Sequence, residues 1–253
     1  MISAMLDGGV GARMFQIATT YALALDNGDE CAFNLSMGSI SQDHLTSEYR
    51  DNILRNVKDL PSDWTAKFYY REKRHDFDLI PYKENMILQG FFTSEKYFKH
   101  RRKEIIKLFK DIDIINTISK INFTNSVSLH VRRGDYLVNA SHVCSESYYK
   151  AALRRIDKET QIDYINIVSD DIPWCKKTFK DSRIEFFEGV PDYIDFYIQT
   201  LCSHNIISNS TFSRMATFLN ENEGKIVIAP AVWFGGSMAN EALDVFDNNW
   251  IFI

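Results

Sequence analysis

The sequence is poor in the features that staple, anchor or metallate a protein. Four cysteines, Cys31, Cys144, Cys175 and Cys202, lie far apart with no C-x-x-C pair. That spacing argues against a disulfide scaffold or a zinc site and predicts free thiols. The six histidines show no H-E-x-x-H spacing. Basic residues are outnumbered, with 29 Lys and Arg against 34 Asp and Glu, a net charge of −5 and a pI near 5.7. A chain of that balance is not built to bind nucleic acid, although a local basic site for a small anion remains open. No uninterrupted apolar run approaches the ~18 residues of a membrane span. The opening MISAMLDGGVGARMFQ has no basic stretch followed by an apolar one, so a cytoplasmic location is expected, with peripheral membrane contact left open. No internal repeat or low-complexity segment is visible. What is present is ordinary globular material: 253 residues, 45% hydrophobic, enough for one large domain or two small ones.

Hydrophobic spacing gives the organisation. Residues 1 to 6 read as a strand, and DGGVG at 7 to 11 as a glycine loop. From Ala12 to Asn27, Met14, Phe15, Ala18, Ala22 and Leu25 recur at helical steps, with Gly28 as C-cap. A strand at 31 to 35 completes a βαβ unit. Residues 36 to 84 are polar and irregular. A strand is expected at 86 to 92, and helices at 97 to 109 and 111 to 119. The connector at 121 to 125 divides the chain into 1–124 and 125–253. The second part alternates strands (126–131, 163–168, 184–187, 204–208, 225–229) with helices (145–158, 173–180, 192–202, 211–221). That alternation predicts a parallel sheet covered on both faces, with ligands at the carboxyl ends of the strands.

Four motifs fall where such ligands bind. SLHVRRGDYL, residues 128 to 137, puts His130, Arg132, Arg133 and Asp135 at or just past a strand end. Two guanidiniums offer planar forks to a diphosphate, the alternative being pairing with Asp135. DGGVGARMF presents backbone N–H groups at a helix start, with Gly9 and Gly11 as candidate donor-binding residues. It resembles a nucleotide fingerprint without the G-x-G-x-x-G spacing, and a plain strand-to-helix turn is the alternative. In IISNSTFSRMATFL, residues 206 to 219, the run from Ser208 to Thr211 suits either helix capping by Asn209, Ser210 or Thr211, or a phosphate. INIVSDD, residues 165 to 171, ends in two carboxylates. Asp171 fits an N-cap before Pro173, and Asp170 is the better partner for the N1–H and exocyclic amine of guanine.

Taken in order, GGVGARMFQIATTYALA, HVRRGDY, SDD followed by WC, SNSTFS and VIAPAVWF resemble the α-1,2-fucosyltransferases of glycosyltransferase family 11. The resemblance implies an α/β, GT-B-like fold of two Rossmann-like domains facing a cleft. The domain 1–124 would take the acceptor side and 125–253 the GDP-sugar. It implies metal-independent, inverting transfer of L-fucose from GDP-β-L-fucose to a galactoside hydroxyl of a glycan, in α-1,2 linkage, without a cofactor. His130, Arg132 and Arg133 would contact the donor, with guanine near Asp170 and phosphate or sugar contacts from Ser210, Thr211 and Phe212. Asp135 is the nearest candidate base and Glu146 the second. The chain departs from the family at Ala12–Arg13, where Asn–Gln is usual, and at Arg214–Met215, where Trp–Trp is usual. These changes keep open another GDP-sugar donor or a non-catalytic nucleotide-sugar-binding role. Asp76-Phe-Asp78 and Asp111-Ile-Asp113 match the D-x-D pattern of metal-dependent transferases. Neither follows a clear strand end, and a solvated surface is the expectation for both.

Overall fold

The computed structural model describes residues 1–35, 47–74, 76–138, 143–233 and 249–253. Phe234, the last residue of VIAPAVWF, lies outside them. Among the described residues the chain forms two compact units, one over Met1–Asp111 and one beginning at Ile112. The connector at 121 to 125 therefore lies within the second unit.

The first unit contains β1 (Ser3–Ala4), α1 (Val10–Asp26), a short α2 (Ser47–Asp51), β2 (Phe68–Arg71), β3 (Met86–Gln89) and α3 (Arg102–Phe109). Its sheet is parallel, in the order β1-β3-β2. Met14, Phe15, Ile17, Ala18 and Ala22 of α1 are buried together with Leu88, Phe98 and Ile105. Phe15 meets Phe98 edge-on at 5.5 Å. The strand expected at 31 to 35 is reduced to two bridges, Ile2 with Cys31 and Phe33 with Asp59. Cys31, Ala32 and Phe33 are buried, so the apolar signal is real. The backbone leaves the sheet after one pairing and turns to Asp59. The helix expected at 97 to 109 opens as two 3-10 turns, Glu95–Tyr97 and Lys99–Arg101, before α3 begins.

The second unit contains α4 (Ile112–Thr117), β4 (Ser126–Val131), α5 (Glu146–Glu159), β5 (Tyr164–Ser169), α6 (Ile172–Thr178), β6 (Ile184–Phe186), α7 (Asp192–Leu201), β7 (His204–Ile206), α8 (Thr211–Leu219), β8 (Val227–Ala229) and β9 (Ile251–Phe252). Its six-stranded parallel sheet runs β6-β5-β4-β7-β8-β9. Every residue of β4 is buried, Ser126, Ser128 and His130 included, as befits a central strand of a parallel sheet covered on both faces. Val127, Leu129 and Val131 pack with Tyr149, Ala152 and Ile156 of α5 and with Ile165 and Ile167 of β5. From β4 the chain builds outward through β5 to β6, then crosses back to place β7 on the other side of β4. The strand order thus reverses between β4 and β7, the crevice where open α/β sheets bind ligands. Pairing of Leu129 with both Ile167 and Ile206, and of Val131 with Ser169, sets three strand ends side by side.

Candidate functional site

The residues just beyond these three strand ends form one cluster. Asp170 receives the loop after β4 with both oxygens. Oδ1 accepts the Arg133 backbone N–H at 2.8 Å, and Oδ2 lies 3.1 Å from Arg132 Nη1. The other Arg132 nitrogen, Nη2, donates to Asp135 Oδ1 at 2.6 Å, and the guanidinium lies 5.4 Å from the Tyr136 ring centroid. Arg133 donates from Nε to Asp171 Oδ2 at 3.0 Å and lies 4.1 Å over the Trp174 ring. Asp171 also caps α6, its Oδ1 accepting the Trp174 N–H at 3.1 Å. The N-cap expected there is present. Two guanidiniums thus sit among three carboxylates, and both are paired within the chain. Their side chains keep 26% and 17% of their surface exposed, so each still reaches solvent. Among the described residues the two terminal nitrogens of Arg133 make no hydrogen bond. Asp170, read from sequence as the guanine partner, has each oxygen engaged by the loop.

The run from Ser208 to Thr211 divides its work. Ser208 Oγ lies 2.9 Å from His130 Nδ1. Asn209 donates to the Trp233 carbonyl at 3.1 Å and accepts from the Cys144 thiol at 3.4 Å. Ser210 caps α8, accepting the Phe212 N–H at 3.3 Å. The Tyr136 hydroxyl donates to the Asn209 carbonyl at 3.4 Å, tying the β4 loop to this run. Thr211 opens α8 half-buried, and Phe212 follows with its ring 5.6 Å from His130 and 5.3 Å from Phe196. Burial, with nearby Arg132, pushes the His130 pKa down to about 3, so the ring is neutral.

One carboxyl escaped the sequence reading. Asp195 stands in the first turn of α7, next to Phe196. Its Oδ1 is buried and meets no donor among the described residues. Burial, and secondarily Asp192, pushes its pKa up to about 8. An acid in a first helical turn reads as ordinary dipole compensation, so nothing in the sequence singles it out.

In the first unit Gly8 takes the left-handed conformation at φ +78°, and a Cβ there would stand 3.2 Å from that of Ala12. Gly9 is the extended N-cap of α1, and Gly11 lies buried in its first turn. Arg13 is fully buried, and its Nε donates to the Gly8 carbonyl at 2.9 Å. Desolvation lowers its pKa, with Asp7 opposing the shift. Arg214, in the second unit, is equally buried, with its guanidinium 5.6 Å from the Trp233 ring centroid and 6.0 Å from that of Trp250. Of the candidate bases, Asp135 is bound to Arg132, and Glu146 pairs with Lys150 along α5. The D-x-D acids have local roles: Asp78 lies 3.9 Å from Lys73, and buried Asp111 pairs with Arg55 at 3.0 Å. Buried Asp111 thus departs from the solvated surface expected of it. Among the described residues no three His, Cys, Asp or Glu side chains are grouped to hold a metal.

Comparison with known proteins agrees with this architecture. The chain is 28% identical to an α-1,2-colitosyltransferase of Escherichia coli, over 98% of this chain and 96% of that one. It is 30% identical to the O-antigen biosynthesis glycosyltransferase WbnK of Escherichia coli, over 92% and 94%. The fold matches the crystal structure of the NodZ α-1,6-fucosyltransferase co-crystallised with GDP, with a TM-score of 0.56 at 14% identity over 86% of this chain and 92% of that one. The fold is the α/β, GT-B-like one expected. The family model of Glycosyl transferase family 11 matches residues 2–253, and the chain, a glycosyltransferase of the fucosyltransferase type, belongs to that family.

Proposed function

We propose that this protein transfers L-fucose from GDP-β-L-fucose to the 2-hydroxyl of a galactoside, with inversion and without a metal ion. The observation that carries the reading is the convergence of Arg132, Arg133, His130 and the capped start of α8 at the reversal of strand order. The bond from the anomeric carbon to the diphosphate oxygen breaks as the acceptor oxygen attacks the opposite face. Negative charge then grows on the GDP. Arg132, Arg133 and the N–H groups opening α8 meet it as preorganised electrostatic partners. Arg133 brings two terminal nitrogens for the phosphate oxygens, while Trp174 holds the plane of its fork. Asp135 takes the proton of the acceptor hydroxyl, which requires its bond to Arg132 to open as that arginine turns to the phosphates.

The chemistry that favoured a carboxylate for guanine now favours Asp195 over Asp170. Asp195 offers an oxygen without a donor, whereas both oxygens of Asp170 serve the loop. Gly9 and Gly11, the candidate donor contacts of the first unit, open α1, where its N–H groups are available to an anion.

A second reading, transfer of another GDP-linked sugar, is supported by the colitosyltransferase among the relatives and by Arg214 in place of the usual Trp. Turnover of GDP-fucose and other GDP-sugars against galactose-terminated acceptors separates the two. Turnover of a different GDP-sugar, with none of GDP-fucose, overturns the first reading. Binding of GDP without any turnover overturns both.

A further inference from the structure

The edge of the first unit's sheet carries none of the residues assigned above to the transfer reaction. In the order β1-β3-β2, strand β2 is an edge. Its flanks run through the chain from Lys67 to Arg74 and from Asp76 to Lys83. Tyr69 is 76% exposed and Leu79 is 79% exposed, and Phe68 and Phe77 are exposed beside them. Lys67, Arg71, Lys73, Arg74 and Lys83 are exposed in the same stretch. Lys83 Nζ stands 4.7 Å over the Phe68 ring, so the two ends of the stretch meet. Lys73 lies 3.9 Å from Asp78. Among the described residues Lys67, Arg71 and Arg74 make no ion pair. Along the sequence from Lys67 to Lys110 there are twelve Lys and Arg against six Asp and Glu, in a chain of net charge −5.

Basic residues alone have a plain explanation on an edge strand, since Lys and Arg discourage pairing with another chain. That does not account for a leucine and three aromatic rings turned outward among them. Apolar and aromatic side chains at the level of lipid headgroups, flanked by cations, are the composition of a surface that lies on an anionic bilayer. We propose that this edge docks the protein reversibly onto a membrane surface containing anionic lipid. Tyr69, Phe77 and Leu79 enter the interface, and Lys67, Arg71 and Arg74 face lipid phosphates. No described helix is long and apolar enough to cross a membrane. The proposal is independent of the donor and of the sugar transferred.

The test is co-sedimentation of the whole protein with vesicles of equal parts phosphatidylcholine and phosphatidylglycerol, and with phosphatidylcholine alone. Binding is expected only to the anionic vesicles, weakening as salt rises. Each of Lys67→Gln, Arg71→Gln and Arg74→Gln should weaken it by about five-fold, and Tyr69→Ser with Leu79→Ser should weaken it at every salt concentration. Tyr69→Trp supplies a local probe, whose emission should shift to the blue with anionic vesicles. All these variants should keep wild-type melting and wild-type turnover of a soluble acceptor. Failure to bind the anionic vesicles, or binding that these substitutions leave unchanged, overturns the proposal. So does a loss of self-association in Tyr69→Ser with Leu79→Ser by light scattering, which would make the edge a contact between copies.

Discussion

Gly134 and Asp170 fit together only because Gly134 has no side chain: a Cβ there would stand 2.6 Å from Asp170 Oδ2. That oxygen is the one beside Arg132 Nη1, and the other end of the carboxylate holds the Arg133 N–H. Asp170 has no long stem on which to swing away. Gly134→Ala should therefore displace the carboxylate and loosen both arginines, at a cost of about 1–3 kcal/mol typical of overpacking. Thermal melts should fall, and the stabilisation by added GDP should shrink. An unchanged melt and GDP shift would mean that the loop relaxes freely.

The in-chain pairing of both arginines sets the sign of a second prediction. Without ligand, Arg132→Ala and Arg133→Ala should each melt lower than the wild type, since each leaves a carboxylate short of a partner. These groups are partly exposed, so the loss should stay within roughly 1 kcal/mol. The loss in turnover should be far larger, about 3–4 kcal/mol in activation free energy, as for removal of an oxyanion-hole donor. Arg133→Lys should rescue poorly, because an ammonium has neither the fork nor the flat face that lies on Trp174. Lower melting with a full GDP-induced shift would assign the arginines to structure alone.

Buried His130 and half-buried Asp195 give opposite pH dependences. His130 titrates near 3 in the fold against an ordinary 6.5. Its contribution is whole above pH 6.5 and is lost as pH falls toward 3, because the unfolded chain takes the proton first. Asp195 titrates near 8 against an ordinary 3.8. The folded chain keeps that proton longer, so its contribution is whole below about pH 4 and declines as pH rises through 8. His130→Gln should flatten the acid limb and Asp195→Asn the alkaline one, both read as melting temperature against pH. If Asp195 receives the guanine edge as an ion, GDP binding should release a proton near neutral pH. Calorimetry in buffers of different ionisation enthalpy would detect it, and Asp195→Asn should abolish it.

If arginines and helix ends do the electrostatic work, EDTA should leave turnover within error of the untreated enzyme. Activity that disappears with EDTA and returns with Mn²⁺ or Mg²⁺ would transfer the diphosphate from Arg132 and Arg133 to a metal ion.

The second unit was legible because its strands and helices alternate regularly, with apolar residues at every second position of β4 (Val127, Leu129, Val131) and at Ile165, Ile167 and Val168 of β5. Strand β2 was not, since Phe68–Arg71 is an exposed edge whose residues alternate in neither burial nor charge. The two-residue β9 is too short to carry a period. At the site, the motif positions could be read and their partners could not. Arg133 and Asp171 are 38 residues apart, and only the register of β4 on β5 brings them together. Pairing with Asp135, the alternative to a diphosphate, describes Arg132 in the absence of ligand. Nothing local in the sequence indicates that Asp170 and Asp171 also turn back onto this loop. Asp195 was invisible because burial, not residue type, sets it apart.

The run Ser208, Asn209, Ser210, Thr211 has a consequence for how this protein tolerates mutation. In the sequence these small polar residues look interchangeable, as if any could stand in for its neighbour. In the fold, Ser208 holds a histidine, Asn209 ties down a carbonyl and a thiol, and Ser210 starts a helix. Exchanging two of them would conserve composition and break at least two contacts. A saturation library across these positions should therefore show separate, narrow preferences at each site, with conservative swaps such as Ser208→Asn as harmful as radical ones.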